Sequence, residues 1–436
     1  MGMNTFATAL SGLNANGQGL NVVGNNLANL NTVGFKSSNI SFSEVLGRLG
    51  TQVSGVRNTF GQGGVQTSSN PLDVAIQGRG FLVQSNNGTH YYTRNGSLHV
   101  DANGYVVGEN NFNIQGYNRN PLTGLVDQNL GVGNIQVPTG LMTPNATTEF
   151  QLGMNLDASA PAGTKFAATV QLFDSQGTAH VATMSFEKSV STATPPVTQW
   201  NFDLTIPERE IAGASPTSTA KYSLLTGAVA TASPSAGALV FDNTGILTSA
   251  YIGTAPGTAG PLADLTVPPS GTTVPAMANG AALSAITWKL AGNTPSSGIS
   301  GFASPSQMSI VDQNGYAPGS MSNISVEPNG MLTAAFSNGL TMNVGQIVLA
   351  QFSNVEGLHA EGAGLYSETS SSGVSRLGVP GDTSLGTLMG SALEQSNVDM
   401  AAELTKIITY QRGYQANAKM INVTDQVMQE TLNLMR

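Results

Sequence analysis

The sequence contains no cysteine, which excludes a disulfide framework and a thiolate metal site while leaving the compartment open. Charge is scarce as well: 9% of residues are Asp, Glu, Lys or Arg, against about 25% in an ordinary soluble protein. Solubility therefore rests on hydroxyls and amides. The basic residues form no cluster and the net charge is −9, so the chain lacks the cationic face that nucleic acid requires. No apolar run reaches the roughly 18 residues of a membrane-spanning helix, and no membrane insertion is expected. Residues 1–35 hold no charged side chain, so the basic start of a cleavable signal peptide is missing and export would need another route. Phe6 stands where a myristoylation pattern wants Ser or Thr, so no lipid anchor is expected.

Chemical motifs are equally sparse. His90, His99, His180 and His359 are scattered without metal-ligand spacing, and His99 and His180 read as ordinary strand residues. There is no Walker loop and no nucleophile elbow, and Gly78-Arg79-Gly80 lacks the third glycine of a dinucleotide fingerprint. No catalytic, cofactor or metal-binding residue emerges, and the chain reads as a structural protein and not an enzyme.

What the sequence does contain lies first at its ends. Met3, Phe6, Leu10, Leu13, Gly17, Leu20, Gly24 and Leu27 follow alternating steps of three and four, the seam of a heptad helix. Met400, Leu404, Ile407, Gln411, Tyr414, Ala418, Ile421, Asp425, Met428, Leu432 and Met435 do the same at the other end. In the first helix Gly12, Gly17, Gly19 and Gly24 each cost about 1 kcal/mol relative to Ala, so packing must supply roughly 4 kcal/mol. Both ends are expected to order when other subunits cover them; the alternative is a stalk formed by the two ends of one monomer. Either way the termini lie side by side.

Between them the period changes to two. Asp73 to Ile76 and Phe81 to Val83 read as strands, and Tyr91-Tyr92-Thr93 and Leu98-His99-Val100 flank Asn95-Gly96, a hairpin signal. Turns recur at Asp101 to Gly104, Asp312 to Gly315 and Glu327 to Gly330, without the alternate ligand spacing of a calcium loop. From 213 to 311 the chain is Ala/Ser/Thr/Gly/Pro-rich and nearly uncharged, reading as an exposed β domain with Trp200 and Trp288 anchoring its core. At 436 residues there is room for two to four domains, at roughly 100 to 200 residues each. The expected fold class is α+β, mainly β: long terminal coiled-coil helices packed side by side, with two or more β domains inserted between them.

Asn25-Asn26-Leu27-Ala28-Asn29 followed by Thr32-Val33-Gly34-Phe35-Lys36 resembles the N-terminal signature of the bacterial flagellar rod and hook proteins. Ser396-Asn397-Val398-Asp399, Glu403 and Gln411 to Asn417 are similar to that family's C-terminal signature, and Leu72 to Phe81 with Tyr92 to Gly96 to its shared β domain. The central insertion, with Gly345 to Ala350 and Asn354 to Leu358, looks like a hook member. The resemblance implies a homopolymeric subunit of a curved tube that joins rod to filament and transmits torque. It implies an extracellular place in the flagellum beside the basal body, and partners in the rod, hook cap, hook-length-control and hook–filament junction proteins and the type III export apparatus. No cofactor is implied. The alternatives are a distal rod protein with an unusual insertion and a secreted coiled-coil-stalked β adhesin.

The expected domains are an assembly helix at 1–35, a connecting segment at 36–71, a shared β domain at 72–146 and 319–389, an outer insertion at 147–318 of one or two subdomains, and a second assembly helix at 390–436. The assembly residues would be Phe6, Leu10, Leu13, Leu20, Leu27, Asn29, Gly34 and Phe35 with Leu404, Ile407, Tyr414, Ile421, Met428 and Leu432. Gly34 and Phe35, with Lys36, would mark the exit from the first helix.

Overall fold

Glycine-rich and charge-free, the first 28 residues are poor material for a lone helix, yet they form helix α1, Gly2–Ala28, against a second helix α2, Met400–Leu434. The computed structural model describes residues 2–44, 50–120, 123–190, 197–230, 234, 236–253, 262–267, 276–290 and 298–434, less the side chains of 2–4, 432 and 434. Helix α1 ends seven residues before the expected limit, where the Asn29 side chain folds back to the Asn25 carbonyl and accepts from Thr32 Oγ1. Helix α2 starts at Met400 and not near 390, because the Asp399 carboxylate takes the N–H groups of Ala401 and Ala402 as an N-cap.

The chain divides into two compact units, residues 1–140 with 321–436, and residues 141–320. In the first, the hairpin Ser38–Glu44 with Thr51–Asn58 lies beside α1, where Ser11 Oγ accepts from Thr51 N. The main sheet runs in the order Met321–Val326, Met331–Phe336, Thr341–Ile347, Asn113–Asn118, Phe81–Asn86, Thr89–Thr93, Leu365–Ser367, His359–Gly362. Two short pairings, Val65–Thr67 with Ala392–Glu394 and Val74–Gln77 with Thr387–Gly390, bind the outgoing chain to the returning one.

One turn differs from expectation. Thr89–Thr93 pairs with Phe81–Asn86 through Asn87-Gly88, both at positive φ, and Leu98–Val100 pairs with Val106–Gly108. Asn95-Gly96 therefore joins strands that do not pair. Its peptide instead meets the strand start at Val74, whose N–H donates to Gly96 O. A Cβ on Gly96 would sit 1.7 Å from the Val74 carbonyl oxygen. The turn at Glu327 to Gly330 does close a hairpin, and Asp101 to Gly104 closes the one at Leu98–Val100. At Asp312 to Gly315 there is no hairpin; the Asn314 side-chain Oδ1 accepts from Thr148 N and Glu149 N.

In residues 141–320 the strands Lys165–Phe173, Ala179–Ser189 and Thr198–Pro207 form an antiparallel meander; the first two bury alternate residues, and the third buries Phe202 to Ile206 in succession. Glu149–Asn155 leads a second sheet. Between these strands lies a core holding Trp200 and Trp288, the latter stacked on Phe150 at 5.8 Å. His180 is no ordinary strand residue: its Nε2 lies 3.0 Å from Asp174 Oδ2 and its Nδ1 2.8 Å from Glu210 Oε2. Burial pushes the Asp174 carboxyl up, but hydrogen bonds from Asn279, His180 and the N–H groups of Thr178 and Gln176 outweigh it and hold it at about 2, against 3.8 when free. A carboxylate with a depressed folded pKa stabilises above its unfolded value and loses that contribution as pH falls through the folded one. Wild-type protein is thus expected to lose about 2 kcal/mol here between about pH 4 and about pH 2. Asp174→Asn should lack that increment at neutral pH and flatten the acid limb, read by urea unfolding under tryptophan fluorescence. An unchanged acid limb in the variant would assign it to other carboxylates.

The terminal helix pair and its anchor, a candidate assembly site

The helices run antiparallel, with Gly12 against Asn417, Asn16 against Gly413, Gly19 against Tyr410 and Asn26 against Glu403. The buried face of α1 is Ala9, Gly12, Ala15, Gly19, Val23 and Asn26. Small residues bring the backbones close, which is what Gly12, Gly17 and Gly19 provide; Gly24 meets nothing within 4 Å. The Asn16 amide donates to Gly12 O at 2.7 Å and the Asn417 amide to Gly413 O at 2.9 Å, so each asparagine lies over its own helix and against the glycine of the other.

The apolar seam expected from the sequence is offset from this contact. Phe6 and Leu10 are 38% and 43% exposed, and Leu404, Tyr414 and Met428 are 44%, 39% and 40% exposed. Leu13, Leu20, Leu27, Ile407 and Ile421 are half-buried along its margin; the side chain of Leu432 lies outside the described residues. A second open stripe, Met420, Val423 and Val427, follows the same steps of three and four on α2. It could have been read from the sequence with a two-position shift in register.

Below the pair the backbone turns through Gly34 at φ +67°, where a Cβ would meet the Arg94 and Asn95 backbone at 2.6 Å. Gly34 N donates to Glu394 O. Phe35 and Asn29 are half-buried beside it, lining a cleft of about 720 Å³.

Beneath this turn is a charge knot that sequence reasoning missed. Lys36 Nζ lies 2.6 Å from Glu394 Oε1, and Arg94 Nη1 lies 3.3 Å from Oε2, with all three side chains buried. Lys36 also donates to Gly61 O, and Gly63 N to Glu394 Oε1. Burial pulls the Lys36 ammonium and the Arg94 guanidinium below their ordinary pKa ranges, with Glu394 opposing both. Two amides extend the anchor. Asn397 accepts from Ser37 N and donates to Thr59 O, and Asn26 pairs with the Ser38 backbone in both directions while donating to Glu403. Lys36 is the first charge in the chain, an available signal; Glu394 gave none.

Among the described residues no group of three or more His, Asp or Glu side chains could hold a metal ion. The terminal helices pair with each other and are fixed by a buried ionic anchor to a mainly β body. Family descriptions match along the chain: "Flagella basal body rod protein" at 6–36, "Flagellar hook protein FlgE/F/G D1 domain" at 75–154, "Flagellar basal body protein FlaE D2 domain" at 135–316 and "Flagellar basal body rod FlgEFG protein C-terminal" at 389–434. The flagellar hook protein FlgE of Escherichia coli K12 is 34% identical, over 98% of this chain and 99% of that one. That of Salmonella typhimurium is 33% identical over 99% and 100%. A solved Helicobacter pylori flagellar hook protein FlgE2 overlays with a TM-score of 0.53 at 14% identity, covering 76% of this chain and all of that one, a likeness of fold.

The chain belongs to the flagellar hook protein family and is a structural subunit of the bacterial flagellar hook. The distal rod and adhesin alternatives are not favoured.

Proposed function

We propose that this subunit polymerises into a curved, flexible tube that carries torque from rod to filament outside the cell, and that it has no enzymatic activity. The terminal helices form its inner wall, and the insertion at 147–318 carries the contacts that slide as it turns. The observation that carries this reading is the open apolar stripes on both helices, which water penalises at about 25 cal/mol per Å² until neighbours cover them. The uncharged, cysteine-free start suits export unfolded through a type III apparatus. The rod, cap, length-control and junction proteins are the expected partners. Few outer charges suit sliding contacts, because interfaces without fixed ion pairs have many near-equal arrangements.

Electron microscopy of the concentrated full chain under salting-out conditions tests this, beside versions lacking residues 2–28 and 400–436 or carrying Leu404→Ser with Met428→Ser. Curved tubes from the intact chain, with none from either variant, are expected. Small closed oligomers from the intact chain would overturn the proposal, and straight tubes would overturn its flexible joint.

A further inference from the structure

Gly78-Arg79-Gly80 is no nucleotide loop, but the structure holds it with unusual firmness. Gly78 and Gly80 stand at φ +105° and +121°, conformations that side chains resist. A Cβ on Gly80 would meet Leu349 and Leu385 at 3.3 Å. Gly386 N donates to Arg79 O, Arg94 Nη2 to Gly78 O, and Gly78 N to Gln62 Oε1. The result is a rigid bracket with the exposed Arg79 side chain at its apex. Among the described residues the Arg79 guanidinium makes no hydrogen bond or ion pair.

Arg79 borders an open cleft of about 590 Å³ floored by Phe60, Phe81 and Phe352, with Arg57, Arg94 and Glu356 among its lining. Arg57 has Glu356 at 3.4 Å; Arg94 has Glu394, but shares it with Lys36. Four cations line or back the cleft against these two carboxylates, and the buried Arg94 Nε has no hydrogen-bond partner. An aromatic floor lowers the local dielectric and strengthens attraction for an incoming anion. Arginine beside a carboxylate offers two parallel hydrogen bonds, so such a contact also sets orientation.

We propose that Arg79 is the docking cation of a contact between copies of this chain, receiving a carboxylate of the neighbouring subunit at the mouth of this cleft. The inference rests on the polymer reading above. A second copy is the occupant because the chain carries 25 acidic against 16 basic residues, the complement of a locally cationic cleft, and because the polymer proposed above surrounds each subunit with copies of itself.

The test is a sedimentation assay of polymer at low ionic strength, with wild type, Arg79→Lys, Arg79→Ala and Arg79→Glu in parallel and a thermal melt of each monomer as the folding control. Arg79→Glu should raise the concentration needed for polymer at least about tenfold, Arg79→Ala less, and Arg79→Lys little, because like charges meeting across an interface are strongly repelled. Combining Arg79→Glu with single Asp or Glu to Lys changes at exposed positions should then restore polymer at one position and identify the carboxylate. Arg79→Glu polymer equal to wild type overturns the proposal, as does a loss that no reversal restores. Normal polymer in vitro with no hook in cells also overturns it, placing another protein in the cleft. Absence of wild-type polymer both here and under salting-out conditions would overturn the polymer reading and this one together, whereas the ratio of variant to wild type tests Arg79 alone.

Discussion

Glu394→Gln is expected to cost the unit formed by residues 1–140 and 321–436 about 3 to 5 kcal/mol, the penalty of stranding buried charge. The Glu394 side chain is wholly inaccessible, and its two oxygens are divided between Lys36 and Arg94. Glutamine fills the same space but removes the only charge balancing two cations, and turns an amide donor toward donors. Lys36→Met is expected to cost less, about 1 to 2 kcal/mol, because Arg94 still balances Glu394 and a desolvated ammonium is relieved. The order of these two effects is the sharper test. It follows from charge arithmetic in the knot and would be reversed if the lysine were the principal anchor. Guanidinium unfolding followed by circular dichroism at 222 nm reports the helices, while Trp200 and Trp288 report the 141–320 core separately. Equal losses from both substitutions would mean that the knot acts through packing and not charge.

The same knot shows where sequence reading stopped. Lys36, Arg94 and Glu394 are separated by 300 residues or more between the glutamate and either cation, so no spacing rule connects them, and nothing about a lone Glu before Gln395 announces burial. What was legible was periodic. The two terminal helices follow from steps of three and four, and the strands at Val74–Gln77 and Phe81–Asn86 from alternation and flanking glycines. Turn chemistry was legible in kind but not in place. Asn87-Gly88 and Asn95-Gly96 carry the same signal; the first closes a hairpin, while the second gives a crossing strand room at Val74.

The helix seam is the most instructive offset. Hydrophobic periodicity locates the stripe with the most apolar area, and on these helices that stripe is not the face that meets within the chain. Apart from Val23, the intrachain face of α1 is made by Ala, Gly and Asn, whose contribution is close approach and whose apolar signal is weak. Gly12 and Gly19, which look like a cost of about 1 kcal/mol each in an isolated helix, are the sites where side chains of the other helix lie. A large-residue face left open and a small-residue face closed is the division expected of a subunit whose own pairing must not consume the surface it offers to neighbours.

That division gives the last prediction its form. Gly12→Leu and Gly413→Leu should each destabilise the helix pair by about 3 kcal/mol, through overpacking of a close contact. A Cβ at Gly12 would lie 2.8 Å from the Asn417 amide, and one at Gly413 2.7 Å from Asn16 Oδ1. Neither asparagine can swing away freely, since each is tied to the carbonyl four residues before it in its own helix. Gly24→Ala should do the opposite and stabilise α1 by up to about 1 kcal/mol, because the added methyl meets nothing and helix propensity rises. Hydrogen exchange of α1 amides reads all three. The pairing can then be tested by rescue: Gly12→Ala should be relieved by Asn417→Ala and not by Asn16→Ala, and Gly413→Ala by Asn16→Ala and not by Asn417→Ala. Coupling of that reciprocal pattern, on the order of 1 kcal/mol in a double-mutant cycle, is the signature of two interlocking contacts. Additive effects in every combination would mean that the glycines act through helix propensity alone, and the register of the pair would then rest on Asn26 and Glu403 at its base.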